Sequence, residues 1–219
     1  MSDVVIFGAT DFADCALHFL NAFSDHNVVG FTTESDYRPG PTHAGLPMFP
    51  FETIEQELPS NDVKMFVAVG PSDNNRLRKR VFETALLKGY DLVSFVSPNA
   101  NVAQNARLGD NVFIFDSVTI EPYVEIGSNT IVWSAAVIAH HSIIGKHCFI
   151  APGAMVSGRC VVEDSVFLGI NCTIRDNVTV AARTVVGAGA TIKFDVPMSG
   201  VYSEPQTPIH KKGIDEVSL

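Results

Sequence analysis

From Val96 to Ile192 every sixth residue is Val, Ile or Leu without a break, seventeen positions in all. A period of six fits neither the 3.6 of a helix nor the 2.0 of an ordinary strand. It predicts a parallel β-helix, in which three hexapeptides make one triangular coil and each aliphatic side chain points inward onto its equivalents above and below. The run corresponds to about five to six coils, and at ~4.8 Å per coil the prism is about 25 Å tall. Two positions before each aliphatic residue lies a second, smaller inward slot. It is filled by Ala100, Ala106, Thr130, Ala136, Ser142, Ala154, Thr184 and Ala190, and also by Cys148, Cys160 and Cys172. Those three thiols are therefore expected to be small buried hydrophobes, not nucleophiles, metal ligands or disulfide partners. Gly109, Gly127 and Gly145 follow aliphatic positions one coil apart and predict turns there.

Residues 1 to about 90 follow a different pattern. Val4-Val5-Ile6-Phe7 is a short apolar run ending at Gly8, and a helical pattern runs from Phe12 to Phe23. Asn27–Thr32 is a second strand candidate, followed by a loop with Pro39, Pro41, Pro47 and Pro50. A third strand, Lys64–Gly70, precedes a helix over residues 73–88 with Leu77, Val81, Phe82, Ala85 and Leu86 along one side. Residues 91–96 then lead as a strand into the first coil. Alternating strands and helices imply a small parallel α/β domain. The expected organisation is a Rossmann-like α/β domain at 1–92 and an all-β parallel β-helix at 93–219, closed by an irregular C-terminal cap after Ile192.

Composition narrows the function classes. At 219 residues, 46% hydrophobic and 18% charged, the chain is of ordinary globular type. A formal charge of −9 argues against a nucleic-acid partner. The start MSDVVIFGAT lacks the features of an export signal and no stretch has the length of a membrane span, so a cytoplasmic location is expected.

Two regions carry candidate chemistry. Gly8-Ala9-Thr10-Asp11-Phe12-Ala13 joins the first strand to the first helix, where backbone N–H groups and the helix dipole can hold a diphosphate. The second and third glycines of a full dinucleotide fingerprint are replaced by Thr10 and Ala13, so a plain tight turn is the competing reading. Gly70 ends the third strand on the same edge of the sheet. In the repeat, His140, His141 and His147 cluster, and imidazole is the side chain suited to general-base work near neutrality.

The stretch WSAAVIAHHSIIGKHCFIAPGAMVSG (Trp133 to Gly158), together with FLGINCTIRDNVTVAARTVVGAGA (Phe167 to Ala190) and GATDFA, resembles the left-handed β-helix acetyltransferases. It resembles most the bacterial sugar acetyltransferases of the sialic acid O-acetyltransferase family, over essentially the whole chain. The resemblance implies an acetyl-CoA-dependent N-acetyltransferase, without a metal, acting on a nucleotide-linked 4-amino-4,6-dideoxy sugar as a homotrimer. It implies His140 as general base beside His141, and the Gly158 N–H as oxyanion donor and coenzyme A contact. Ile170 and Ala188 fall where coenzyme A runs, and Gly8, Thr10, Asp11 and Gly70 where the sugar nucleotide is held. Three departures stand out. His141 replaces the acidic residue that some relatives carry, and Phe149 stands where some carry a second active-site His. The tail Gly200-Val201-Tyr202-Ser203-Glu204-Pro205-Gln206 lacks the usual Ala-Lys pair, and Lys211 and Lys212 follow it.

Competing readings are a sugar or sialic acid O-acetyltransferase, a non-catalytic β-helix binding module, and a metalloenzyme like the gamma-class carbonic anhydrases. The last is disfavoured because adjacent His140 and His141 are expected to point to opposite sides of a strand.

Overall fold

The computed structural model describes residues 2–205. The repeat folds into three parallel sheets of two-residue strands. The first face runs from Phe95–Val96 through Phe113–Ile114, Ile131–Val132, Phe149–Ile150, Phe167–Leu168 and Val185–Val186 to Val201–Tyr202. The second holds Asn101–Val102, Thr119–Ile120, Val137–Ile138, Met155–Val156, Thr173–Ile174 and Thr191–Ile192, and the third runs from Arg107–Leu108 to Thr179–Val180. Strand partners such as Val137 and Met155 lie 18 residues apart. The aliphatic positions from Ile114 to Ile192 form one continuous buried core with Cys148, Cys160 and Cys172 in the small slot. Val96 departs from the expected series: it opens the stack, has no coil beneath it, and is 38% exposed.

The corners turn by a device the glycines did not indicate. From Asn111 to Gly189 every sixth residue has a positive φ, including Asn129, His141, His147, Gly153 and Arg159. The left-handed residue lies two positions after Gly109, Gly127 and Gly145, whose own φ is ordinary. Those glycines serve close stacking: a β-carbon on Gly127 would lie 2.7 Å from the Gly145 carbonyl carbon. The segment after Ile192 is also more regular than the irregular cap expected. Val196 bridges Val180, and Val201–Tyr202 extends the first face. Gln206, Lys211 and Lys212 lie outside the described residues.

The N-terminal unit has strands β1 (Ser2–Phe7), β2 (His26–Thr33), β3 (Thr42–His43), β4 (Leu46–Pro50) and β5 (Lys64–Val67), in sheet order β3-β4-β2-β1-β5. Helices α1 (Asp11–Phe23) and α2 (Arg76–Leu87) pack on it. The Pro-rich segment, expected to be a loop, forms the β3–β4 hairpin, with β4 parallel to β2. Helix α2 begins three residues later than expected because Asp73, Asn74 and Asn75 are all left-handed. Its buried side carries Arg78 with Val81, Phe82 and Ala85, whereas Leu86 faces solvent.

Aromatic residues attach this unit to the first face. Phe12 and Phe19 of α1 contact Phe113 and Phe115 in edge and tilted arrangements, and Phe115 stacks on Trp133 at 4.1 Å. A buried polar ladder joins the end of β5 to the corner between the third and first faces. Asn111 Oδ1 accepts the Val67 N–H (2.8 Å), Asn111 Nδ2 donates to Asn129 Oδ1 (2.9 Å), and Asn129 Nδ2 donates to His147 Nδ1 (2.8 Å). The second and third faces are left free of the α/β unit.

Candidate active site

His140 and His141 occupy the turn between the second and third faces, just after Val137–Ile138. Both side chains are exposed. The His140 backbone N–H donates to Glu121 Oε2 (2.8 Å), which fixes the turn. His141 has φ 60°. That left-handed turn overturns the expectation that the two rings point to opposite sides: their Nδ1 atoms are 3.2 Å apart. The strand alternation behind the expectation does not apply at a corner. His141 in turn stacks on Tyr123 of the preceding coil, with ring centroids 4.7 Å apart.

Gly158 occupies the same corner one coil later, directly against the His140 ring. A β-carbon there would lie 2.7 Å from His140 Cε1 and 2.9 Å from Nε2. The Gly158 N–H is one of several at this position of the hexapeptide, with those of Ser134, Asp164 and Asp176, that take no partner among the described residues. In the neighbouring coil the His140 N–H is taken by Glu121 Oε2, and further along the Ala182 N–H is taken by Glu163 Oε2, each from 19 residues earlier. Nineteen residues before Gly158 stands Ala139, whose side chain has no acceptor. What sets Gly158 apart is that its backbone packs against an imidazole. A backbone donor next to an imidazole is an arrangement that can serve acyl transfer.

Gly8, Thr10 and Gly70 meet in a cleft of about 620 Å³ at the carboxyl ends of β1 and β5. Phe7, Phe12, Thr33, Glu34, Tyr37 and Arg80 also line it. Gly8 has φ +134°, and a β-carbon there would meet the Ala68 carbonyl oxygen at 2.6 Å, so the loop depends on glycine. Thr10 caps α1 without using its hydroxyl, which stays available to a ligand. Asp11 does not line the cleft and lies exposed in the first turn of α1. Arg80 is the one basic lining residue and is paired with both carboxylate oxygens of Glu34 (2.5 and 3.0 Å), which holds Glu34 below the usual carboxylate range.

Ile170 and Ala188 are exposed at the corner between the first and second faces. The second face, with Met155 and Thr173 pointing outward, lies between them and the His140–Gly158 corner. The cleft and His140 are not brought together within one chain, because the α/β unit covers the first face.

Several residues are settled as structural. Burial pushes the Cys148 and Cys172 thiols up to about 12 and raises Cys160. His147 is buried, accepts from Asn129, packs edge-on to Phe82, and is pushed down to about 4, first by burial and then by Lys79 and Arg78. Phe149 is buried in the aromatic layer beneath the α/β unit. The residue that sequence reasoning missed is Arg78. It is fully buried, and its guanidinium donates to the carbonyls of Val69, Gly70, Asn129, His147 and Cys148 at 2.9–3.3 Å. It thereby ties the Gly70 rim of the cleft to the β-helix. A cation within an otherwise apolar helix face was the available signal. Among the described residues no cluster of three or more His, Cys, Asp or Glu is placed to hold a metal ion, and no helix is long and apolar enough to cross a membrane.

Residues 3–85 match the family model of the PglD N-terminal domain, and residues 93–187 that of the GMPPB C-terminal domain. PerB from Caulobacter crescentus, solved in complex with CoA and GDP-perosamine, is 29% identical with a TM-score of 0.84, over 93% of this chain and 95% of that one. The chain has the fold of a hexapeptide-repeat sugar acetyltransferase. The acetyltransferase domain of PglB from Neisseria gonorrhoeae FA1090 has the same fold, at 24% identity and a TM-score of 0.83, over 95% of this chain and 100% of that one. WeeI from Acinetobacter baumannii AYE shares it too, at 19% identity and a TM-score of 0.78, over 92% and 96%. No curated protein sequence matches the chain. In this acetyltransferase architecture the PglD-type domain supplies the cleft, and the repeat supplies the His140–Gly158 corner.

Proposed function

We propose that the chain transfers the acetyl group of acetyl-CoA to the 4-amino group of a nucleotide-linked 4-amino-4,6-dideoxy sugar, with His140 as general base. The observation that carries this reading is the Gly158 backbone packed against the exposed His140 ring, with its N–H unpaired among the described residues. The sugar nucleotide occupies the cleft of the α/β unit, with its diphosphate near Gly8, Thr10 and Gly70. Acetyl-CoA lies along the second face past Ile170 and Ala188, and its thioester reaches Gly158. Because the cleft and His140 lie on different sides of one chain, the site is completed by a neighbouring copy in a closed homotrimer.

His140 Nε2 takes a proton as the amine nitrogen attacks the thioester carbon. The Gly158 N–H receives the developing oxyanion; the C–S bond then breaks and the thiolate leaves with the proton that His140 returns. General-base catalysis contributes about 10²–10⁴ and an oxyanion donor about 10²–10³, with positioning supplying the rest. No step uses a cysteine of the chain, in keeping with the burial of Cys148, Cys160 and Cys172. Hydroxyl acceptors, as in sugar O-acetylation, use the same corner and remain the second chemical reading.

The test is thiol release from acetyl-CoA with UDP-, dTDP- and GDP-linked 4-amino-6-deoxy sugars beside their 4-hydroxy counterparts. Turnover with one amino sugar and not its hydroxyl counterpart is expected. Turnover only with a hydroxyl sugar would replace N- by O-acetylation, and none with any sugar would overturn the proposal.

A further inference from the structure

We propose that His141, held flat on Tyr123, is a positioning residue that accepts the Nδ1–H of His140 and so keeps the lone pair of His140 on Nε2. The inference rests on the role of His140 given above and names what holds that base in its working tautomer. Three observations converge. The two Nδ1 atoms are 3.2 Å apart, so one ring must donate and the other accept. His141 is fixed from both sides, by its left-handed backbone and by the Tyr123 ring 4.7 Å away and inclined by only 29°. The His140 ring lies against Gly158, where an added β-carbon would sit 2.7 Å from Cε1, 2.9 Å from Nε2 and 3.3 Å from Nδ1, so that Nε2 is the nitrogen nearer to Gly158.

The direction of the bond follows from what each ring needs. The tautomer of an imidazole is set by the hydrogen bond its other nitrogen makes. If His140 donates from Nδ1, its Nε2, the ring nitrogen nearer to Gly158, is unprotonated. If His140 accepts instead, its proton stays on Nε2 and the base is blocked. His141 is exposed, so it can keep its own proton on Nε2 towards solvent. When His140 takes the substrate proton, the Nδ1–H donated to His141 becomes charge-assisted and strengthens as the reaction proceeds. A neutral ring thus fills the orienting role that a carboxylate fills beside a catalytic His elsewhere. Tyr123 acts one step further out: it is itself left-handed, with φ 65°, and its backbone N–H donates to Asn105 Oδ1 (3.3 Å).

Two substitutions at position 141 separate ring from backbone. His141→Gly keeps the left-handed turn and removes the acceptor. His141→Asn also suits that backbone and places an amide oxygen near the position of Nδ1. The first readout is nitrogen NMR of histidine-labelled full-length protein, which reports the His140 tautomer without any substrate. The Nδ1–H form is expected in the wild type and in His141→Asn, with reversion towards the Nε2–H form in His141→Gly. The second is kinetic: kcat falls about tenfold in His141→Gly with KM for both substrates unchanged, and His141→Asn recovers most of it. Tyr123→Gly is expected to lower kcat in the same direction, with no further loss when combined with His141→Gly. An Nε2–H form of His140 in the wild type, or the same tautomer in wild type and His141→Gly, would overturn the proposal. The NMR outcome stands even if no sugar proves to be acetylated, so failure of the proposed reaction and failure of this inference are distinguishable.

Discussion

Replacing Arg78 by Met tests how the α/β unit is held on the β-helix. The guanidinium is fully buried, has no carboxylate partner among the described residues, and donates to five carbonyls on two structural units. Burial lowers it to about 10, so it remains charged at neutral pH. Of its acceptors only the Cys148 carbonyl has another described partner, the Ile131 N–H at 3.1 Å. The substitution therefore leaves the carbonyls of Val69, Gly70, Asn129 and His147 without partners. Each orphaned buried acceptor costs about 1–3 kcal/mol. Relief from burying a guanidinium offsets several kcal/mol, and measured losses of one partner from a buried charged network are about 3–5 kcal/mol. For a chain of this size that corresponds to roughly 6–20 °C in Tm. Thermal unfolding followed by circular dichroism, with amide exchange to locate the loss at β5, α2 and the Gly70 rim, is the assay. Arg78→Lys, with three donors in place of five, is expected to fall between wild type and Met. A Met variant melting within about 2 °C of wild type would refute the clamp.

Gly158→Ala places a methyl group 2.7 Å from His140 Cε1, and is expected to lower kcat about 10²–10³-fold with little change in Tm, as read by steady-state kinetics beside a melting curve. His147 is held neutral, pushed down to about 4 against a reference near 6.5. The unfolded chain binds the extra proton first, so stability is lost as pH falls from about 6.5 towards 4, by at most about 3 kcal/mol. Urea titrations across that range should show the slope in wild type and a shallower one in His147→Asn. Iodoacetamide at neutral pH is expected to spare Cys148, Cys160 and Cys172 in the folded protein and to leave activity intact, as peptide mass mapping would report.

The β-helix was legible because its core repeats a single environment: each aliphatic residue stacks on a copy of itself 18 residues away, so the pattern is written seventeen times. The corners were not. The left-handed residue recurs every six positions, but it is Asn, Ser, Tyr, Ala, His or Arg far more often than Gly, because closure of the coil imposes the conformation whatever the side chain. The same effect hid the meeting of His140 with His141, since the sequence treated them as neighbours on a strand. The β3–β4 hairpin was masked by Pro47 and Pro50, which stand near the two ends of β4, where a missing donor is tolerated. Arg78 was masked because a single cation on a helix reads as solvated, and only the three-dimensional arrangement supplies five carbonyls. Gly8, Thr10 and Gly70 were found through their place at strand ends, a rule that left Asp11 undistinguished from its neighbours although it does not line the cleft.

The central claim is that His140 removes the proton from the attacking amine at the Gly158 corner. Its most direct test is single-turnover acetyl transfer from acetyl-CoA to the amino sugar nucleotide, with wild type and His140→Ala compared at saturating concentrations of both substrates and the acetylated product identified by mass spectrometry. The account predicts that the transfer rate falls about 10²–10⁴-fold in His140→Ala while binding of acetyl-CoA and of the sugar nucleotide is unchanged. Transfer by His140→Ala at the wild-type rate would contradict it.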